Sequence, residues 1–93
     1  MRTIWKFPCP LSINGGFTIV MPERAQVLTV QCQQNQHGAE VPCLWALVES
    51  DNKPEVREFV IVGTGYPCEY DSINYIGTFQ LSGGRFVGHL FEA

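Results

Sequence analysis

The chain has 93 residues, of which 45% are hydrophobic and 16% are charged, with a formal net charge of -3 at pH 7. This length predicts one domain over residues 1–93. The six basic residues are dispersed, so non-specific binding to nucleic acid, which needs clustered phosphate contacts, is not expected. No segment approaches the ~20 apolar residues of a membrane-spanning helix. The first ten residues lack a signal-peptide core, which predicts a cytoplasmic protein with no membrane partner.

The four cysteines, Cys9, Cys32, Cys43 and Cys68, predict free thiols. Cys32 and Cys43 lie inside apolar segments, where a free cysteine behaves as a small hydrophobic residue. Disulfides are the alternative for a secreted chain. A zinc site would need paired ligand spacing, and none of the cysteines forms a CxxC pair. We therefore predict no metal and no cofactor.

Seven short apolar segments, separated by turn residues, predict seven β-strands: residues 3–7, 17–21, 25–31, 41–48, 56–62, 75–81 and 85–91. Proline and glycine mark most of the boundaries, because proline lacks a donor for strand pairing and glycine permits turns. The turns or loops fall at residues 8–10, 14–16, 31–40, 49–55, 63–67 and 82–84. No segment predicts a long helix, although a short turn over 67–72 is compatible with the sequence. The predicted fold class is all-β, a small barrel or sandwich of about seven mostly antiparallel strands.

The segment 41–48, VPCLWALV, is apolar on both faces of its predicted strand. A strand with one solvated face alternates apolar and polar residues. The segment is therefore predicted to be central, with Trp45 in the core. Two-faced strands in a weakly charged chain also predict a homodimer or larger oligomer, since interface cores are depleted in charged residues.

Several motifs carry a resemblance that runs through nearly the whole chain: TIWKFP at 3–8, VPCLWALV at 41–48, GTGYP at 63–67, YIGTFQLSGG at 75–84 and GHLFE at 88–92. In these motifs the chain resembles a family of small phage and prophage proteins grouped as a domain of unknown function, DUF7352-like. Members commonly have GTGHP where this chain has Tyr66, and often a bulky residue where it has Gly88. The resemblance implies a phage setting and no established activity.

Gly63, Thr64, Gly65 and Tyr66 form the first half of a predicted ligand site. Glycine permits positive φ and close approach of a ligand, and successive backbone N–H groups in such a turn can bind an anion. The Thr64 hydroxyl would add a donor. A plain strand-to-loop turn is the alternative, since the known phosphate loops are followed by a helix.

Tyr75, Arg85 and His89 complete the predicted site. Arg85 and His89 share a face by the alternation of the last strand and could attract an anion. A tyrosine could stack on a base. The alternative is that Arg85 is a solvated hairpin end and His89 is a hydrogen-bonded strand residue. His89 and Glu92 are predicted to lie on opposite faces of the strand, so no acid–base pair is formed.

The leading functional prediction is a non-enzymatic, phage-encoded counter-defence protein that sequesters a nucleotide-type immune signal in the cytoplasm of the infected host. The second is a protein-binding inhibitor of a host antiphage complex, CRISPR-type or other, which would use an exposed apolar or edge-strand surface. The third is an enzyme acting on a small metabolite. The predicted partners are thus the chain itself, and either a small anionic nucleotide-like ligand or a host defence protein.

Overall fold

Seven β-strands form two antiparallel sheets in the computed structural model, which describes residues 1–11 and 15–93. One sheet has three strands in the order β1-β4-β3, and the other has four in the order β2-β5-β7-β6. The strands are β1 (Arg2–Pro8), β2 (Gly16–Pro22), β3 (Gln26–Gln34), β4 (Glu40–Glu49), β5 (Pro54–Gly63), β6 (Asn74–Leu81) and β7 (Phe86–Glu92). Within the described residues the only helical element is a 3-10 turn at Ser82–Gly84. The all-β prediction is confirmed.

Each predicted strand has a counterpart, but most extend further than the apolar pattern indicates. The largest difference is β3, which continues through Gln34, so that the predicted polar loop 31–40 shrinks to a turn over residues 35–39. Pairing with β4 provides the reason, because Gln33 lies opposite Val41 and Gln34 opposite Glu40. The predicted turn 82–84 is confirmed, although β7 begins at Phe86 rather than at Arg85. The predicted turn at 14–16 includes Asn14, outside the described residues, and Gly16 belongs to β2.

The core lies between the two sheets and is built by one face of each strand. Its largest fully buried side chains include Phe59 and Ile61 from β5, Leu44 and Val48 from β4, and Leu90 from β7. Two stacked sheets account for the smallest dimension of the molecule, 16 Å, since packed sheets lie about 10 Å apart. The architecture is a sandwich.

Trp45 does not belong to the core, and the prediction that it does is wrong. Leu44, Ala46 and Val48 point inward from β4 and are buried, so Trp45 points to the outer face and is half-buried. There the Lys6 ammonium lies 5.7 Å from the centre of its ring and donates to Gln33 Oε1 at 2.9 Å. Lys6 therefore reaches over the ring from β1 to β3 and shields part of an apolar sheet face.

The two sheets approach each other closely on one side only. There β3 packs on β6, and a Cβ at Gly77 would lie 2.9 Å from Val30 Cγ1 and 3.6 Å from the Val30 nitrogen. On the opposite side β1 and β2 are the sheet edges. Trp5 of β1 and Val20 of β2 line a shared cavity of about 240 Å³ there.

All four cysteines are free, as the sequence predicts. Cys9 and Cys43 are buried, Cys32 is half-buried and Cys68 is exposed. Burial raises the pKa of Cys9 to about 12, and burial also raises the pKa of Cys32. Both therefore stay protonated thiols at neutral pH, which disfavours nucleophilic chemistry at either residue.

Candidate functional site

A β-turn follows β5 and occupies the glycine-rich segment of the predicted site. The Tyr66 amide donates to the Gly63 carbonyl at 3.0 Å, and Gly65, at the third turn position, has φ +85°. This conformation strains any residue with a Cβ, so Gly65 has the conformational role that the sequence predicts. Gly63 itself is the buried last residue of β5.

The backbone of this turn does not provide the predicted series of free N–H groups. Besides the Tyr66 amide, the Thr64 amide is engaged, since it donates to the Val87 carbonyl of β7 at 3.1 Å. An anion-binding backbone concavity needs successive donors that point outward. The Thr64 and Tyr66 amides are therefore not free to bind an anion, so side chains must supply most of the contacts to one.

Side chains of three predicted site residues instead form one hydrogen-bonded chain on the outer face of the four-stranded sheet. Thr64 Oγ1 lies 2.7 Å from His89 Nε2, and His89 Nδ1 lies 2.9 Å from Thr78 Oγ1. Thr78 Oγ1 in turn lies 2.7 Å from the Tyr75 hydroxyl. We call Thr64, His89, Thr78 and Tyr75 the hydroxyl–imidazole chain.

The donors in this chain can be ordered when His89 is neutral. A neutral imidazole donates from one nitrogen and accepts at the other. The Val87 carbonyl, 3.4 Å from Thr64 Oγ1, can only accept. Thr64 is thus best satisfied by donating to Val87 and accepting from Nε2–H of His89. Nδ1 then accepts from Thr78, which accepts from Tyr75.

Protonation of His89 would reverse this order. Both ring nitrogens then donate, so Thr78 must accept from Nδ1–H and turn its own hydrogen towards Tyr75. The Tyr75 hydroxyl is left free to donate outward. Tyr75 is exposed, with its ring 5.7 Å from that of Phe91 in an edge-to-face arrangement. The outer face therefore presents an exposed aromatic ring. The charge of His89 decides whether the Tyr75 hydroxyl donates to Thr78 or outward.

Arg85 belongs to the site because it lines a cavity together with Thr64. Thr64, Tyr66 and Arg85 line a cavity of about 220 Å³ together with Phe86 and Val87. Arg85 and Tyr66 are exposed. The cavity offers a guanidinium, a hydroxyl and an aromatic ring. Thr64 is the residue that this cavity and the hydroxyl–imidazole chain share.

The segment after Tyr66 covers the outer face of β5 and bounds the site on its other side. Val60 and Val62 are buried although they point outward, because residues 67–70 lie over them around a cavity of about 110 Å³. A Cβ at Gly16 of β2 would lie 2.7 Å from the Tyr70 hydroxyl, so Tyr70 reaches across to β2. Residues 67–70, in the first part of the predicted short turn over 67–72, have no regular secondary structure, and residues 71–72 form a bend.

Two features of the charged and polar residues were not predicted from the sequence. Thr78 joins Tyr75 to His89, yet the spacing of three residues predicts opposite faces for Tyr75 and Thr78. A register shift between Tyr75 and Gly77 places both on the outer face.

On the inner side, Arg57 binds Glu92 through two nitrogens at 2.7 and 2.8 Å and donates to the Ala25 carbonyl. The bond to Glu92 raises the pKa of Arg57, and the bond to Ala25 ties the residue before β3 to the larger sheet.

The placement of Glu92 also confirms that it lies on the face opposite to His89. Glu92 pairs with the inward-facing Phe59, whereas His89 pairs with Val62 on the outer face. The two groups cannot share a substrate proton, and Glu92 is engaged by Arg57.

An antiparallel β-sandwich with a polar, aromatic site on one outer face defines the structural class of the protein. The chain belongs to the family described as Domain of unknown function (DUF7352), whose model matches residues 1–93. No curated protein and no solved structure matches the chain. Within the described residues, no helix is long and apolar enough to cross a membrane.

Proposed function

We propose that the protein is a non-enzymatic binder of a small anionic ligand that carries an aromatic ring, of which a nucleotide is the leading example. The observation that carries this proposal is the position of Thr64, which joins the Arg85 and Tyr66 cavity to the hydroxyl–imidazole chain. Hydrogen bonds link Thr64 to His89 and, through Thr78, to Tyr75, while Thr64, Tyr66 and Arg85 line one cavity. Gly63 and Gly65 are part of the turn that holds Thr64.

Each group has a chemical role in this proposal. The planar Arg85 guanidinium matches the geometry of a phosphate. The Thr64 hydroxyl lines the same cavity and can accept from a donor of the ligand, since its own hydrogen is donated to the Val87 carbonyl. The exposed rings of Tyr66 and Tyr75 offer two faces for stacking of a base, and such stacking is worth about 1–3 kcal/mol per base.

The biological setting follows from the phage context that the sequence resemblance implies. A phage protein that holds a nucleotide without consuming it would lower the free concentration of an immune signal in the cytoplasm of the infected host. We therefore propose counter-defence by sequestration. His89 bonds to two hydroxyls and Glu92 to Arg57, so neither is an unengaged acid or base for the enzymatic alternative.

Calorimetry with a panel of nucleotides and cyclic nucleotides tests the proposal. At least one member should bind, and Arg85→Ala should weaken it about tenfold or more, because a hydrogen bond to a charged group contributes about 1.5–3 kcal/mol. Arg2→Ala is the matched control, since it removes the same charge from an exposed position on the other sheet.

The second candidate is a protein-binding inhibitor, and one observation favours it. The outer face of the three-stranded sheet exposes Ile4, with Leu47 and Trp45 beside it at half exposure. If no nucleotide in the panel releases heat, and the protein co-purifies with a host defence complex in amounts that Ile4→Lys reduces, sequestration is refuted and this candidate replaces it.

A further inference from the structure

The two sheets have four edge strands, β1, β3, β2 and β6. Only β2 is both uncharged and away from the close contact between the sheets. A sheet edge has unpaired N–H and C=O groups that can pair with another strand. The β3 and β6 edges pack closely against each other at Val30 and Gly77, which restricts the access of a further strand to either. Of the other two, β1 has the cations Arg2 and Lys6, whereas β2 has the sequence GFTIVMP and no charged residue.

Nothing in the described parts of the chain covers the β2 edge with backbone pairing. Strand β2 pairs with β5 on one side only, and in residues 1–11 and 15–93 the remaining backbone bond from this strand is the local turn bond of Pro22 to Ala25. Natural edge strands are usually protected by charges, bulges or prolines. Here the protection is limited to Pro22, at the end of the strand.

The side chains next to this edge are apolar and exposed. Val20 is 58% exposed and lies opposite Val56 of β5, which is 67% exposed. Val20 also lines a cavity, together with Trp5 and Pro22. An incoming strand could therefore pair with the β2 backbone while its side chains cover these apolar groups.

We propose that a second copy of this chain pairs with β2, strand against identical strand, around a two-fold axis. The charge pattern selects this occupant. Antiparallel self-pairing of β2 brings only uncharged residues of Gly16–Pro22 opposite one another, whereas self-pairing of β1 centred on Ile4 would place Arg2 opposite Lys6 of the second copy. The result is an isologous dimer with one continuous sheet of eight strands, and it leaves the site on β7 open on each copy.

Light scattering after size exclusion, at micromolar to millimolar concentration, tests this interface with two matched variants. Val20→Lys places a charge on the β2 edge, whereas Ile4→Lys places it at a position of similar exposure, 56%, on β1. The wild type and Ile4→Lys should have twice the 10.4 kDa chain mass, and Val20→Lys should have the single mass. Circular dichroism and thermal melts check that both variants remain folded.

Amide hydrogen exchange of the wild type gives a second measurement that needs no variant. Residues 16–22 should exchange more slowly at high than at low protein concentration, while β1 should not change. A wild type that is monomeric throughout overturns the proposal. A dimer that Ile4→Lys dissociates and Val20→Lys does not would place the interface on the three-stranded sheet instead, and would also overturn it.

Discussion

Gly88 shows how one missing side chain shapes the core. A Cβ at this position would lie 2.5 Å from Phe79 Cζ, so the phenyl ring occupies the space that any other residue would need. Both residues are buried and directly opposite on β7 and β6.

Gly88→Ala should therefore destabilise the protein by about 1–3 kcal/mol through overpacking. The double variant Gly88→Ala with Phe79→Leu should recover part of this loss, because leucine vacates the contested space. Urea unfolding of the wild type, both single variants and the double variant measures the coupling. Strictly additive losses would show that the two side chains do not compete.

Cys9 couples stability to alkaline pH. Its pKa is raised to about 12 by burial, above its ordinary value of 9.0. The unfolded chain therefore releases this proton first, so the stabilisation is complete below about pH 9 and is lost as the pH rises towards 12. In Cys9→Ala the free energy of unfolding should fall less steeply over this range than in the wild type. Equal slopes would contradict the raised pKa.

The hydroxyl–imidazole chain predicts one tautomer of His89. If Thr64 donates to Val87, neutral His89 has its hydrogen on Nε2, and nitrogen NMR shifts of the ring should show this. Thr78→Val removes the donor to Nδ1 and should leave that tautomer, while Thr64→Val should permit the other. A hydrogen on Nδ1 in the wild type would reverse the order we derive.

At the scale of the element, β4 offers a matched comparison of its two faces. Leu44 is fully buried on the inner face, and Leu47 is half-buried on the outer face. Leu44→Ala should cost about 2–5 kcal/mol, because it leaves a cavity in the core. Leu47→Ala should cost clearly less in the same denaturant titration. Equal costs would indicate that the outer face is covered in solution.

The same strand shows what could be predicted from sequence and what could not. Alternation and turn residues located all seven strands. However, VPCLWALV is apolar on both faces, so periodicity could not decide which set of residues points inward. Pairing with β1 and β3 and packing on the second sheet decide it, and they place Trp45 outside. Of the predicted site residues, Thr64 and His89 are brought into hydrogen-bond contact. The position of Thr78 beside them depends on a bulge that no local sequence signal marks.

At the scale of the whole molecule, the sandwich is fixed differently on its two sides. On one side β3 and β6 pack at short range, and the Arg57–Glu92 ion pair adds a link through Ala25. On the other side β1 and β2 meet only around a cavity.

Glu92→Gln should therefore destabilise the whole protein, since it leaves the half-buried Arg57 guanidinium without its counter-charge. A shift in the thermal midpoint measures this, and Glu58→Gln, an exposed change on the same sheet, is the control.

The pairing of early strands with late ones has a consequence for synthesis. Strand β1 pairs with β4, and β2 pairs with β5, whereas β3–β4 and β6–β7 are hairpins of neighbouring strands. The two strands made first must therefore wait on the ribosome until residues 49 and 63 have emerged. During that interval β2, without a charge, has neither edge paired, and unpaired apolar strands are prone to aggregation. Chaperone dependence of this small protein should thus be greatest while its first half is being translated.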